Sequence, residues 1–170
     1  MISVCNFNFF EPFLKPIIKN SSTFAQLKPT IIPVSNRLQH IICLIDDDKI
    51  YQFTAKKILE STGLSQDILP FYNGEEAIDF IAANIRSANL LPDIIFLDIN
   101  MPVMDGWQFL EAFKKIYTQL PKPITIYMVS SSVDDYDIRK SKEYAEVIDY
   151  VIKPINRERF EQLINRVPAL

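Results

Sequence analysis

Hydrophobic positions follow two different periods along residues 41–170. Short, continuous apolar runs, typical of strands buried on both faces, occur five times. They cover residues 41–45, 68–72, 93–98, 124–129 and 147–152. Between and after these runs, apolar residues recur at the three- and four-residue spacing of amphipathic helices. The pattern predicts five β-α units, each long enough for a right-handed crossover, and hence an α/β fold with a parallel sheet and helices on both faces.

Each predicted helix has an apolar stripe or an end signal. The first is read from Ile50, Phe53 and Ile58, with Gly63 as its stop, and a more polar fourth helix is expected over 134–145. Asn156 is expected to cap the fifth. The stripes of the second, third and fifth helices are Ala77, Ile78, Ile81 and Ile85; Phe109, Phe113 and Ile116; and Phe160, Leu163, Ile164 and Val167.

Residues 1–38 do not continue this pattern. Four prolines break any long helix there, at positions 12, 16, 29 and 33. We therefore expect an N-terminal extension over 1–38, disordered or loosely packed, and a single folded domain over 39–170. A tail without function, or a start assigned too far upstream, is the simplest explanation of the extension.

Charge and cysteine content narrow the function classes. The net charge is −3, yet residues 1–40 carry four basic side chains against one acidic one, so the remainder is clearly acidic. An acidic domain lacks the clustered Lys and Arg that nucleic-acid phosphates require. Cys5 and Cys43 have no metal-ligand spacing, which favours reduced thiols in a cytoplasmic protein. No apolar run is long enough to predict a membrane span.

Polar side chains stand where the predicted strands end. Asp46 and Asp47 end the first strand, Asp98 the third and Ser130 the fourth, and Lys153 follows the fifth. In open parallel sheets these ends meet at one edge, where ligands bind. Clustered carboxylates without His or Cys suit Mg²⁺. A lysine and a hydroxyl can hold phosphoryl oxygens and a carboxylate can attack phosphorus, so the set predicts a phosphoryl-transfer site.

The segments "LIDDDK", "FLDINMPVMDG", "VSSS" and "YVIKPI" occur in that order. Together they resemble the receiver domain of two-component response regulators, over roughly residues 39–167. The resemblance implies a flavodoxin-like, doubly wound sheet of five parallel strands in the order 2-1-3-4-5. It also implies a chain that catalyses only its own phosphoryl transfer and dephosphorylation.

The resemblance further implies a role for each matching position. Asp98 is the phospho-acceptor. The Mg²⁺ ligands are Asp47, Asp98 and the main-chain carbonyl of Asn100, while Asp46 acts through a metal-bound water. Ser130 and Lys153 contact the phosphoryl group, and the peptide from Lys153 to Pro154 is often cis in the family. Ser130 and Tyr150 form the switch. Asp48 receives no role, and an N-cap of the first helix explains it.

Implied partners are a histidine kinase or histidine phosphotransfer protein, and a downstream target bound through residues 134–167. The chain stops one helix after Lys153, so output is expected through protein contacts, and homodimerisation stays open. Two alternatives remain. One is a phosphatase resembling the haloacid dehalogenases, although position 100 is Asn where those enzymes place a second Asp. The other is an interaction module that is never phosphorylated.

Two further residues are interpreted without a function. His40, the only histidine, is expected to be an ordinary surface residue. Trp107, at the start of the third helix, is expected to be half-buried packing.

Overall fold

The computed structural model describes residues 39–168. Five strands alternate with five α-helices, and a short 3₁₀ turn follows the third helix. The strands are β1 (His40–Ile45), β2 (Ser65–Phe71), β3 (Ile94–Asp98), β4 (Thr125–Ser130) and β5 (Val147–Ile152). The helices are α1 (Lys49–Thr62), α2 (Gly74–Ala83), α3 (Gly106–Ile116), α4 (Asp135–Ser141) and α5 (Arg157–Ile164). The expected extension over 1–38, which includes Cys5, lies outside the described residues.

The sheet confirms the predicted fold. All neighbouring strands pair in parallel, in the order β2-β1-β3-β4-β5. Strand order reverses between β1 and β3, because the chain first adds β2 on one side of β1 and then crosses to the other. In a doubly wound sheet this reversal opens a crevice at the carboxyl ends of the two strands. Asp46 and Asp98 lie at those ends.

Alternate residues of the central strands fill two hydrophobic cores, one on each face of the sheet. Ile42 and Leu44 of β1 join the core that α1 and α5 cover. Cys43 and Ile45 join the core that α2 and α3 cover. Since both faces of β1 are covered, all six of its residues are buried, which explains its uninterrupted apolar sequence. Burial also raises the pKa of the Cys43 thiol, so this cysteine is an apolar core residue at neutral pH.

Helix ends follow their sequence signals. Asp48 caps α1 by accepting from the main-chain N–H groups of Ile50 and Tyr51, as expected for the third aspartate. Gly63 ends the same helix at φ 68°, a left-handed conformation that glycine adopts without a steric penalty. Asn156 caps α5 by accepting from Arg159 N–H at 2.8 Å. These three predictions are confirmed.

Three local predictions are wrong, and two predicted stripe residues, Ile85 and Val167, lie beyond the ends of α2 and α5. The buried face of α1 comprises Gln52, Ala55, Leu59 and Thr62, whereas Ile50 and Phe53 are 81% and 65% exposed. The apolar spacing was misleading because a polar residue, Gln52, takes the position that faces the sheet. Helix α4 ends at Ser141, four residues before its predicted end. His40 is buried rather than on the surface, because it begins β1 and its ring lies beside Asp93.

Among residues 39–168, no helix is both long enough and apolar enough to span a bilayer.

Candidate functional site

Three charged side chains from three strand ends meet at the crevice. The ammonium of Lys153 lies 2.5 Å from Oδ2 of Asp46 and 2.6 Å from Oδ1 of Asp98. The two aspartate side chains are 5% and 9% exposed and the lysine is 14% exposed. Hydrogen bonds at these distances between charged groups are strong, and burial strengthens them further. The structure thus brings together the predicted residues from β1, β3 and β5.

The remaining oxygens of both aspartates are held by the main chain. Oδ1 of Asp46 accepts from the N–H of Asp48 at 3.0 Å. Oδ2 of Asp98 accepts from the N–H of Asn100 at 2.8 Å. Each carboxylate therefore has one oxygen on the ammonium and one on a local turn, which fixes its orientation.

The electrostatics of the cluster combine burial with mutual repulsion. Burial raises the pKa of Asp46 and of Asp98, although the hydrogen bond from Lys153 opposes the rise in each case. The charge of Asp98 further raises the pKa of Asp46, and that of Asp47 further raises the pKa of Asp98. Burial alone would lower the pKa of Lys153, but its hydrogen bonds to Asp46 and Asp98 raise it overall. The ammonium is charged at neutral pH and neutralises only part of the acidic cluster.

The acidic set fits a hard cation only as an open site. Asp47 is exposed, and it makes no hydrogen bond or ion pair within the described part of the chain. Asn100 is exposed as well, next to Asp98. Over residues 39–168, no group of three or more His, Cys, Asp or Glu side chains is placed to hold a metal ion by itself, as a protein cage would. Mg²⁺ needs no such cage, because it keeps several waters and takes one or two protein carboxylates. The residues present therefore fit Mg²⁺ by their donor chemistry.

The loop after Asp98 is held close to the end of β3. The N–H of Gly106 donates to Ile99 O at 2.9 Å, and a Cβ on Gly106 would lie 2.4 Å from Asp98 O. Only glycine allows this approach. Within the loop, Val103 has φ 67°, and Met104 N–H donates to Pro102 O at 2.8 Å. The three residues form a tight turn with backbone strain at its centre.

Ser130 and Tyr150 connect the site to the loop between β4 and α4. Ser130 is buried, and its Oγ accepts from Ser132 N–H at 3.1 Å. Tyr150 is half-buried on β5, and its hydroxyl donates to Ser132 O at 3.0 Å. Both predicted switch residues thus bind the main chain of Ser132. Lys153 precedes a cis peptide to Pro154, as the resemblance implied.

Two residues at the site were missed from the sequence, both on α1. The ring of Tyr51 lies 4.3 Å from the Lys153 ammonium, a cation–π contact. The side-chain amide of Gln52 binds the main chain at Asp46. The helical spacing of Gln52 with the buried Ala55 and Leu59 is the only trace of its position in the sequence.

Comparisons with known proteins agree with this fold and site. The "Response regulator receiver domain" family profile matches residues 42–165. A solved two-component response regulator from Cytophaga hutchinsonii is 31% identical, with a TM-score of 0.70; the match covers 77% of this chain and 98% of that one. The probable methanogenesis regulatory protein FilR2 of Methanothrix harundinacea is 24% identical over 127 residues, which are 75% of this chain and 80% of FilR2.

The DNA-binding transcriptional regulator NtrC of Escherichia coli is 29% identical over 126 residues. These make up 74% of this chain but only 24% of NtrC, so the chain spans about a quarter of that protein. The fold and the site define a doubly wound α/β domain with an acidic centre at its topological switch point. With the family match over most of its length, the chain belongs to the response regulator receiver domains. It is a phospho-accepting domain of two-component signalling, and the haloacid-dehalogenase-like alternative is not supported.

Proposed function

We propose that Asp98 accepts the phosphoryl group. The observation that carries the proposal is the environment of its carboxylate at the switch point. One oxygen is held by Lys153 and the other by Asn100 N–H. In the transfer, an Asp98 oxygen forms a bond to phosphorus as the phosphorus–nitrogen bond of a partner's phosphohistidine breaks. The imidazole leaves with the bonding electron pair and takes up a proton, and an acyl phosphate remains on Asp98.

Each neighbour has a distinct task in this proposal. Lys153 balances the charge of the transferred oxygens, and Ser130 donates a hydrogen bond to one of them. Receiver domains generally bind Mg²⁺ at this site. Here Asp47, Asp98 and the carbonyl of Asn100 would hold it, with Asp46 acting through a water. When bound, the ion offsets carboxylate repulsion and draws charge from the phosphoryl oxygens.

The acceptor is tested by labelling with a small phosphodonor. Wild type should form a base- and hydroxylamine-labile phosphoprotein with acetyl phosphate and Mg²⁺, and Asp98→Asn should form none, because an amide oxygen does not yield an acyl phosphate. Asp48→Asn is the matched control, since Asn caps a helix as well as Asp does, and it should label like wild type. Undiminished labelling of Asp98→Asn would place the acceptor elsewhere.

The same experiment also tests the second alternative drawn from the sequence, an interaction module that is never phosphorylated. Such a module would take up no label in the wild type at any Mg²⁺ concentration. We further propose that the chain turns over no phosphoester and only loses its own acyl phosphate. Release of p-nitrophenol from p-nitrophenyl phosphate, abolished by Asp98→Asn, would contradict that.

Receiver domains interact with histidine kinases and phosphotransfer proteins. For the downstream target we propose the surface of residues 134–167. A groove of about 260 Å³ lies between α4 and β5. It is lined by Ile138, Ser141, Lys142, Ile148, Tyr150 and Ile152, among others. Ile148 and Ile152 are 59% and 46% exposed. This exposed apolar pair lies beside the half-buried Tyr150. It offers a target protein a binding contact that would change when the Tyr150 side chain moves in the switch.

A pull-down tests this surface. Phosphorylated wild type should capture a target that Ile148→Asp does not, while both label equally with acetyl phosphate. Phe53→Asp, a charge placed on an equally exposed apolar residue of α1, is the control and should retain the target. Capture of the target by Ile148→Asp at the wild-type level would show that the target binds another surface. Gel filtration of the same three proteins, with and without phosphorylation, tests homodimerisation.

The domain limits and the location also stay predictions. We propose that residues 39–170 fold and accept phosphate without residues 1–38, in the cytoplasm. A chain lacking residues 1–35 should unfold at the same urea concentration as the full chain and label at the same rate. Loss of folding in that truncation would place part of the N-terminal segment in the core.

A further inference from the structure

Gln52 is a buried polar residue next to the acidic pair. It closes the first turn of α1, on the face that packs against the sheet, and is 5% exposed. Burying a side-chain amide is unfavourable unless its hydrogen bonds are made. Its neighbours on the same face, Ala55 and Leu59, are apolar. The placement therefore requires a specific partner for the amide.

The partners are two main-chain carbonyl groups at the ends of neighbouring strands. Nε2 of Gln52 donates to Asp46 O at 2.7 Å and to Phe71 O at 2.6 Å. The amide nitrogen has two N–H bonds, so both are used. Phe71 O also accepts from Asp46 N–H at 3.0 Å. Gln52 therefore bonds directly to the Asp46 carbonyl, and it shares the Phe71 carbonyl with the Asp46 N–H.

The hydrogen bonds of the Gln52 amide lie just where the main-chain pairing between β1 and β2 ends. The ladder between β1 and β2 stops at Ile45 and Phe71, and one residue further the chain turns toward α1. The Asp46 carbonyl belongs to the peptide that links Asp46 to Asp47. Fixing that carbonyl fixes the peptide plane, which sets the direction in which Asp47 leaves the strand. Asp47 needs this support because its side chain bonds to no other described residue.

We infer that Gln52 is a positioning residue of the acidic site, holding the Asp46–Asp47 peptide so that both carboxylates face the position of Mg²⁺. The inference rests on the proposed function, because it assigns a metal-directed task to the pair. Residues that hydrogen-bond to metal ligands and fix their orientation typically contribute 10–100-fold to metal affinity. Loss of the amide should therefore weaken Mg²⁺ binding before it affects the phosphoryl-transfer step.

The test compares Mg²⁺ affinity in full-length variants by titration calorimetry. Gln52→Met is close in size and has no N–H donor, and its Kd for Mg²⁺ should rise about tenfold. The Mg²⁺ concentration for half-maximal labelling by acetyl phosphate should rise in parallel. The labelling rate at saturating Mg²⁺ should stay within about twofold of wild type, since Asp98 and Lys153 are untouched.

Thr62→Val is the matched control for a general loss of stability. Thr62 is also buried on α1, and its hydroxyl donates to Leu59 O at 2.7 Å, but it lies at the other end of the helix. It should lower the urea midpoint and leave the Kd unchanged. A Kd for Gln52→Met within twofold of wild type would overturn the inference and leave Gln52 as the partner of two buried carbonyls.

A second variant covers failure of Gln52→Met to fold. Gln52→Asn keeps the amide but is one methylene too short to reach both carbonyls, so its Kd should rise as well. An unchanged Kd in Gln52→Asn would equally overturn the inference. If wild type binds no Mg²⁺, the proposed metal role and this inference both fall. If wild type binds and the Gln52 variants bind equally, only this inference falls.

Discussion

The ammonium of Lys153 lies 2.6 Å from Oδ1 of Asp98, and the two residues are 55 positions apart in the chain. The same ammonium lies 2.5 Å from Asp46. One cation therefore holds together the ends of β1, β3 and β5 while it faces the acceptor. Without this cation, the buried carboxylates of Asp46 and Asp98 would repel each other with no positive charge to offset them.

Lys153→Met should therefore destabilise the metal-free protein. Removing one partner of a buried charge pair costs roughly 3 kcal/mol at neutral pH. The loss should be smaller at pH 4, where protonation of the two aspartates removes the repulsion. Urea unfolding in EDTA at both pH values measures it. Lys57→Met removes an exposed pair with Glu60 and should leave the urea midpoint unchanged; an equal effect of the two variants would refute the account.

The pH dependence of stability follows from the raised pKa of Asp98. Burial raises this pKa above its ordinary value of 3.8, so the folded state binds the proton more tightly than the unfolded chain does. The contribution of Asp98 to the stability of the metal-free protein must then fall as the pH rises from 3.8 through the raised pKa. Asp98→Asn cannot ionise and avoids that loss.

In EDTA, Asp98→Asn should exceed wild type in free energy of unfolding at pH 7, and the two should converge toward pH 4. Asp48→Asn keeps its cap and should follow the wild-type curve. Saturating Mg²⁺ should narrow the difference at pH 7, because the ion stabilises only the form that binds it. A lower stability of Asp98→Asn at pH 7 would show that pairing with Lys153 outweighs burial.

The overall arrangement of strands, helices and site could be predicted from the sequence because two strong patterns agreed. Continuous apolar runs identified the central strands, since strands covered on both faces carry few polar residues. The polar residues that end those runs, Asp46, Asp98 and Ser130, identified the edge where the site lies. The order of the strands came from the resemblance, because periodicity alone does not say on which side of β1 each new strand is added.

What the sequence did not reveal depends on individual hydrogen bonds. Apolar spacing placed Ile50 and Phe53 toward the core, whereas the structure buries Gln52 and leaves both exposed. A hydrophobic pattern cannot show that two carbonyl groups 2.6–2.7 Å away would satisfy an amide. The burial of His40 is hidden from the sequence for the same reason, because it depends on packing beside Asp93, 53 residues further along the chain.

Strain at Val103 gives a prediction for the loop after Asp98. Val103 has φ 67° and is 72% exposed, so it is strained without burying its side chain. A β-branched residue is disfavoured in this conformation, whereas Asn tolerates it. Val103→Asn should raise the free energy of unfolding by about 1 kcal/mol. Val133→Asn, at a similarly exposed valine without positive φ, should give no gain; a gain in both would point to surface polarity instead.

Gly106 gives a steric prediction at the start of α3. A Cβ there would lie 2.4 Å from Asp98 O, so the helix or the acceptor strand must move. Gly106→Ala should lower the free energy of unfolding by about 2–3 kcal/mol. It should also slow labelling by acetyl phosphate. Gly63→Ala meets no atom within 4 Å and is strained only by its φ of 68°, so it should cost about 1–2 kcal/mol and label normally. Normal labelling of Gly106→Ala would show that Asp98 tolerates the shift.

The last prediction concerns the switch, and it uses Trp107, the only tryptophan in the chain. Its indole lies 4.2 Å from the Lys140 ammonium of α4 and 5.9 Å, between ring centres, from Tyr144 just after α4. Because an ammonium and a phenol ring both contact the indole, its fluorescence should change when α4 moves. Ser130 and Tyr150 bind the loop that leads into α4, both through Ser132. A phosphoryl group that attracts Ser130 would pull on this loop.

Wild type should therefore change its tryptophan emission on phosphorylation by acetyl phosphate with Mg²⁺. Ser130→Ala should reach the same phosphate content, because Asp98 and Lys153 remain, yet should lose most of the emission change. Ser131→Ala, a change at the neighbouring exposed serine, is the control and should respond like wild type. Phosphate content is measured on the same samples by phosphate-affinity gel. Equal emission changes in Ser130→Ala and wild type would show that Ser130 does not couple the acceptor to α4, because one hydroxyl is all that the variant removes.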